Sequence, residues 1–275
     1  MALLLRRTDE SDLPIEVIGV RPDQLRGMTL DEIERFPIRQ GNRAVPLAEV
    51  FQISGDPSDE RIDFEGNLRN VHRIGAEMAA GRIVVDGCTG WHLAARMSGG
   101  RIEVSGDAGD WAGAEMNGGL IRIGGSIGDR AGAAYPGSKR GMTNGTILVG
   151  GSAGAEIGRS MRRGTIAIGG ACGDHAGLGM IAGTILVFGS CGRYPGAEMR
   201  RGTIGLLGGG PVPLLPTFRR AGRFRPQFLA LIERELRCTG FAGVDWPSGE
   251  LDLYHGDLLS LGKGEIWAWE GGGLA

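Results

Sequence analysis

Residues 100–118 read G-R-I-E-V-S-G-D-A-G-D-W-A-G-A-E-M-N-G, and residues 119–135 read G-L-I-R-I-G-G-S-I-G-D-R-A-G-A-A-Y. Both stretches open on a glycine, place apolar residues two and four positions on, and continue with G-x-x-G-x-x-x-G. Starting from Gly81, this plan restarts at Gly100, Gly119, Gly145, Gly164, Gly183 and Gly202, in steps of 19 residues with one step of 26 after Gly119. The apolar pairs are Ile83 and Val85, Ile102 and Val104, Ile121 and Ile123, Ile147 and Val149, Ile166 and Ile168, Ile185 and Val187, and Ile204 and Leu206. Alternation over so short a run marks a strand with one buried face. The glycine array is complete from Gly106, Gly109 and Gly113 through Gly189, Gly192 and Gly196, while the Gly81 segment has Ala94 at its last place. A long apolar residue follows at one position: Met97, Met116, Met161, Met180 and Met199, with Tyr135 in the segment that is out of step. An eroded earlier copy from Ile62 keeps Gly75 and Met78, and the extra residues of the long step are expected in a loop around Pro136 to Asn144.

A fixed period with one strand per unit means a solenoid, because a single 19-residue unit cannot bury its own apolar face. The unit is too short for helical repeats and lacks the L-x-x-L-x-L pattern of leucine-rich repeats. The expected fold is all-β, a right-handed parallel β-helix with neighbouring turns about 4.8 Å apart. Gly makes up 52 of the 275 residues without a collagen triplet, and the glycines are expected at corners that need positive φ or close backbone approach. Cys172 and Cys191 share a repeat position with Ala108, Ile127 and Ala153, which reads as a small apolar core site.

The flanks lack the period, which gives an expected division into residues 1–60 (N-terminal cap), 61–210 (β-helix) and 211–275 (C-terminal helix and cap). In the first, Thr29 and Glu32 form a capping box for a short helix, and Val50 to Ile53 reads as a strand leading into the first coil. In the last, Pro226 opens a helix with Phe228, Leu231, Ile232 and Leu236 as its apolar stripe, and Asp252 to Glu270 reads as strand with Trp267 and Trp269. Both flanks are expected to cap the open ends of the solenoid.

The net charge of -2 and the lack of a basic tract argue against nucleic acid. Three leucines before Arg6 and Arg7 are too few for a signal peptide, and no apolar run spans a membrane, so a cytoplasmic location is expected. Cys88, Cys172, Cys191 and Cys238 contain no C-x-x-C pair, which leaves zinc and iron-sulfur ligation without the usual spacing. His92 and His175 share a repeat position but lie four coils apart, too far to hold one metal. No metalloprotease, P-loop or nucleophile-elbow motif occurs, and the G-x-G-x-x-A match at Gly177 falls on a repeat corner. Asp110, Asp129 and Asp174 recur in G-D-x-A-G, read as turn aspartates that bond their own backbone two residues on. No catalytic and no metal-binding residue is assigned.

Two surface features remain. Arg159, Arg162 and Arg163 share the late stretch of one coil, and Arg200 and Arg201 that of another, near Lys139 and Arg140 on the inserted loop. This is a solvated face or a basic ledge for a polyanionic ligand or an acidic partner. The outward strand position carries Glu103 and Arg122 in early coils but Leu148, Ala167 and Leu186 later, so the late positions must be covered by the Pro226 helix or by another chain.

The repeats Gly109 to Gly119 and Ile121 to Gly132, with the insertion after Ala134 and Tyr135, resemble the C subunit of formylmethanofuran dehydrogenase, most closely the form found in the bacterial formyltransferase/hydrolase complex of methylotrophs. The glycine array is also similar to the C-terminal β-helix of the glutamate synthase large subunit. The resemblance spans about residues 45 to 270 and implies a noncatalytic, scaffolding subunit with no cofactor of its own. It implies as partners a formyltransferase subunit, an amidohydrolase-like subunit that holds the metal, and a further subunit. The complex would move a formyl group from formyl-tetrahydromethanopterin to a methanofuran-type polyglutamyl carrier and release formate. A molybdenum or tungsten formylmethanofuran dehydrogenase subunit, or a glutamate-synthase-like module, are the alternatives. The scarcity of lysine beside arginine, with only Lys139 and Lys263, favours a methylotrophic bacterium over a methanogen. The resemblance carries no catalytic residue over to this chain.

Overall fold

The computed structural model of the protein describes residues 2–269. Strands Arg61–Glu65, Arg82–Asp86, Arg101–Val104, Asn117–Ile123, Asn144–Val149, Thr165–Ile168, Thr184–Val187 and Arg201–Leu206 pair in parallel, each with the next in sequence. Ile102 lies on Ile121, then come Ile147, Ile166, Ile185 and Ile204 in one column. A second line of parallel bridges joins Leu68, Thr89, Ala108, Ile127, Ala153, Cys172 and Cys191 on another wall. The chain is therefore a parallel β-helix in which equal repeat positions stack. The isoleucine column and the methionines Met97, Met116, Met161, Met180 and Met199 are fully buried, each side chain contributing about 1.5–3 kcal/mol of hydrophobic stabilisation.

The glycines serve two different ends. Gly100, Gly119 and Gly113 take φ of +82, +89 and +64, conformations that strain other L residues. Gly109 and Gly154 do not lie in the positive-φ region. A Cβ on Gly154 would come within 2.7 Å of the Asp129 nitrogen and 2.8 Å of the Gly128 carbonyl carbon, so there glycine is required by the approach of the neighbouring coil. Both expected reasons for glycine are thus present in the array, positive φ at some places and close backbone approach at others.

The insertion lies within the expected stretch but starts one residue earlier and ends sooner. Thr143 N donates to Met116 O at 2.7 Å and Arg162 N to Met142 O at 2.8 Å, repeating the bond from Asn117 N to Met97 O at 2.7 Å. Met142 is fully buried and holds the methionine place of this coil, so the added residues run from Tyr135 to Gly141 and Tyr135 is released outward. A buried site selects the unbranched apolar side chain, whereas Tyr135 keeps a polar end that finds a partner outside.

Both flanks join the sheet. Leu3–Arg7 lies parallel on Arg61–Glu65 and antiparallel to Phe51–Ser54. The latter strand is thus the outer edge of the sheet; the chain runs on from it, through the turn Pro57–Asp59, into the first coil as expected, but Leu3–Arg7 lies between the two strands. A small sheet of Arg43–Pro46, Pro37–Gln40, Ile15–Glu16 and Val71–His72 packs there, and Thr29 and Glu32 form the expected capping box on helix Leu30–Glu34. At the other end the chain leaves after Leu206 and returns as Lys263–Ala268, parallel to Arg201–Leu206 as the next rung. Leu251–Gly256 and Arg219–Phe224 extend the sheet antiparallel. Glu270, the end of the expected strand segment, lies outside the described residues. Helix Leu229–Cys238 buries Leu229 and Leu236 against Leu148, Ala167, Leu186 and Trp267, so the chain covers its own late outward face. Its stripe differs from the expected one: Leu231 is 66% exposed and Phe228 44%, while Leu229, Ile232, Leu236 and the following Phe241 face the sheet. Among the described residues no helix is long and apolar enough to cross a membrane.

Candidate functional site

The basic ledge follows from the methionine column. Met161 and Met199 point inward, and the two residues after each are turned out ahead of the next strand. Arg162, Ile181 and Arg200 donate their N–H groups to Met142, Met161 and Met180 in turn, at 2.8, 2.7 and 2.8 Å. Arg162 and Arg200 are thus one column, two rises or about 10 Å apart. Arg163, Arg200 and Arg201 are exposed and Arg162 is half-buried. Arg201 is paired with Lys263 on the returning strand, so an exposed lysine extends the adjacent column of Arg163 and Arg201 by one further coil. The sequence gives no signal of this, because Lys263 lies outside the period.

Arg159 stands apart from these. It donates to Glu156 at 2.9 Å, and Arg130 reaches the same carboxylate oxygen at 3.1 Å. Burial pushes the Glu156 carboxyl up, but hydrogen bonds and charge from Arg159 and Arg130 outweigh it and hold the group below the ordinary carboxylate range. Arg159 is therefore partnered, whereas Arg162, Arg163, Arg200 and Arg201 have no ion pair among the described residues. Lys139 and Arg140 are exposed on the insertion. The insertion rests on the Arg159 coil, through Ala134 N to Arg159 O at 3.0 Å and Gly141 N to Ser160 O at 2.9 Å. Exposed guanidinium groups so placed can bind carboxylates bidentately. They supply no nucleophile and no acid-base pair.

A second surface was not legible in the sequence. His92, Trp111, Arg130, Glu156, His175 and Tyr194 occupy one repeat position and all have left-handed φ, between 56 and 63°, so their side chains project from a corner. Tyr135 from the insertion stacks on Trp111, with ring centroids 5.1 Å apart, and its hydroxyl shares a 2.8 Å hydrogen bond with His92 Nδ1. Arg96 lies over the Tyr135 ring at 5.5 Å and Arg130 over the Trp111 ring at 5.3 Å. Burial lowers the His72 and His92 imidazoles below their ordinary range and raises the Tyr135 hydroxyl above its own, which leaves all three neutral near pH 7. This edge fixes the insertion and, with it, Lys139 and Arg140.

The recurring aspartates reach across coils and not, as expected, to their own backbone. Asp110 Oδ1 accepts from Asp129 N at 2.9 Å, Asp129 Oδ1 from Ala155 N at 2.8 Å and Asp174 Oδ1 from Arg193 N at 2.8 Å. They tie successive turns together. Among the described residues no group of three or more His, Cys, Asp or Glu side chains could hold a metal ion.

No protein-family model matches the chain. It is 40% identical over 89 residues to the C subunit of the tungsten-containing formylmethanofuran dehydrogenase 2 of Methanothermobacter wolfeii, covering 31% of this chain and 33% of that protein. It is 41% identical over 94 residues to the C subunit of the molybdenum-containing formylmethanofuran dehydrogenase 1 of Methanothermobacter thermautotrophicus, covering 34% and 24%. These alignments span a third or less of the curated relatives. A chain of the formyltransferase/hydrolase complex from Methylorubrum extorquens, solved by X-ray crystallography with methylofuran, matches almost end to end: TM-score 0.89, 37% identity, 96% of this chain and 98% of that one. With that near end-to-end match at 37% identity and the aligned C subunits, the chain belongs to the family of formylmethanofuran dehydrogenase C subunits.

Proposed function

We propose that the chain is the noncatalytic scaffold subunit of a formyltransferase/hydrolase complex that moves a formyl group from formyl-tetrahydromethanopterin to a methanofuran-type carrier and releases formate. The observation that carries this reading is the end-to-end likeness to a chain of the Methylorubrum extorquens complex. The molybdenum and tungsten dehydrogenase relatives align over a third of the chain and support the second reading less fully. In the proposed complex the chemistry and the metal lie in a formyltransferase subunit and an amidohydrolase-like subunit, in the cytoplasm, and this chain holds them in register. Purification from the native host tests it. Co-purification with both enzyme subunits and formyl transfer by the assembly support the proposal, whereas formyl transfer or hydrolysis by the isolated chain overturns it.

The basic ledge is proposed to meet the polyglutamate tail of the carrier or an acidic partner. Arg162, Arg163, Arg200 and Arg201 serve as its core, with Lys139, Arg140 and Arg159 on its border. The guanidinium groups that have no ion pair among the described residues support this part. Reversing the charge at Arg162 and Arg163 in the assembled complex separates the outcomes: loss of carrier alone favours the tail, loss of a subunit favours an interface, and retention of both at ordinary salt means a solvated face.

A further inference from the structure

Cys172 and Cys191 are opposed residues of one parallel bridge, and both are free thiols. Opposed residues on neighbouring parallel turns lie about 4.8 Å apart, within the roughly 4.4–6.8 Å that a disulfide spans between α-carbons. Their side chains leave the same wall in the same direction, and the Cys172 thiol donates to the Gly154 carbonyl of the preceding coil at 3.8 Å. The other places of this ladder hold Leu68, Thr89, Ala108, Ile127 and Ala153, so the two sulfurs meet at one step of it. We propose that Cys172 and Cys191 form a thiol–disulfide exchange site, which a low-molecular-weight disulfide such as oxidised glutathione converts into a covalent bond between adjacent coils.

Access sets the order of events. Cys172 is 5% exposed and Cys191 is half-buried, so Cys191 meets the oxidant. The adjacent Cys172 thiol lowers the Cys191 thiol, while Cys191 and burial raise Cys172, so the thiolate forms on the reachable sulfur. Cys191 attacks one sulfur of oxidised glutathione, the glutathione S–S bond breaks, and one glutathione thiolate leaves. Cys172 then gives up its proton, attacks the Cys191 sulfur and expels the second glutathione. Two protein thiols are oxidised and one disulfide is reduced to two thiols. The bond would staple the coil of Asp174 to that of Arg193, which already share an ion pair at 2.8 Å.

The full chain, equilibrated with oxidised glutathione, alkylated and digested with trypsin, tests this directly. Residues 164–193 form one tryptic peptide that holds both cysteines, and exposed Cys238 reports that the oxidant has acted. The expected result is near-complete loss of alkylation on that peptide and a mass lower by two hydrogens, with a melting midpoint that rises and falls back on reduction. Cys172→Ala is expected to trap glutathione on Cys191, and Cys191→Ala to leave Cys172 unmodified. Both variants should fold, since Ala108 and Ala153 hold the same position. A native peptide alkylated at both cysteines while Cys238 carries glutathione overturns the proposal, as does a lasting glutathione adduct on native Cys191.

Discussion

The early and late coils share one backbone and one inward column, yet their outward faces have different fates. On strands Arg82–Asp86 and Arg101–Val104 the outward face is charged: Arg82 meets Glu103 at 2.8 Å, and Arg101 pairs with the same carboxylate. Two coils beyond Glu103 the same column reads Leu148, Ala167, Leu186 and Gly205, with Trp267 opposite Gly205, and helix Leu229–Cys238 lies over it. Large and small residues alternate there, so that the side chains interdigitate beneath the helix. The inward column and the glycines set the coil, whereas the outward column decides where a flank docks.

The sharpest way to break this comparison is to exchange the two characters. Leu186→Arg places a charge without a partner under the helix and is expected to cost about 4 kcal/mol or more. Arg122→Leu, at the same repeat position on the exposed side, should change stability by about 0.5 kcal/mol or less. Denaturant unfolding of both variants measures the gap, and equal midpoints would mean that the helix does not cover the late face.

The two kinds of glycine give a smaller contrast. Gly154→Val drives a branched side chain into the backbone of the preceding coil and is expected to cost about 3 kcal/mol. Gly137 has φ +85 but no atom within 4 Å of a Cβ, so Gly137→Ala should cost only the conformational strain, about 1 kcal/mol. The outer change Thr146→Ala should cost less than Gly154→Val. Melting midpoints that rank Gly137→Ala as the worst would show that backbone conformation, not coil approach, makes the array glycine.

The smallest expected effect lies in the C-terminal hairpin. Asp252 is 2% exposed, and hydrogen bonds first from Arg223, then from Arg220, hold its carboxyl below the ordinary range against the pull of burial. Because the folded group titrates below the unfolded one, its stabilisation is present above the unfolded value, near pH 3.9, and is lost as pH falls through the lower folded value. Asp252→Asn should lower the melting midpoint at pH 7 and flatten its decline under acid. An unchanged acid slope would show that this carboxylate is not what links the hairpin to pH.

Much of this was legible in the residues. The 19-residue spacing determined the parallel stack, the isoleucine column and the place of Arg162 over Arg200, because a strand of one coil pairs with its immediate successor and the period fixes the register. The capping box at Thr29 and Glu32 was equally local. Tertiary structure alone decided the rest. Tyr135 and Met142 compete for one inward place, and the outcome depends on which side chain a buried site accepts and which finds partners on the aromatic edge. Leu3–Arg7 joins Arg61–Glu65 and Lys263–Ala268 joins Arg201–Leu206 across long excursions of chain, as added rungs that no period announces. The aspartates reach the amides of the next coil, which stacking brings within hydrogen-bond distance. The sequence determined what repeats, since a repeat is a local rule copied; partners distant in sequence are chosen by packing, and only the folded chain brings Lys263 to the ledge and helix Leu229–Cys238 to the late coils.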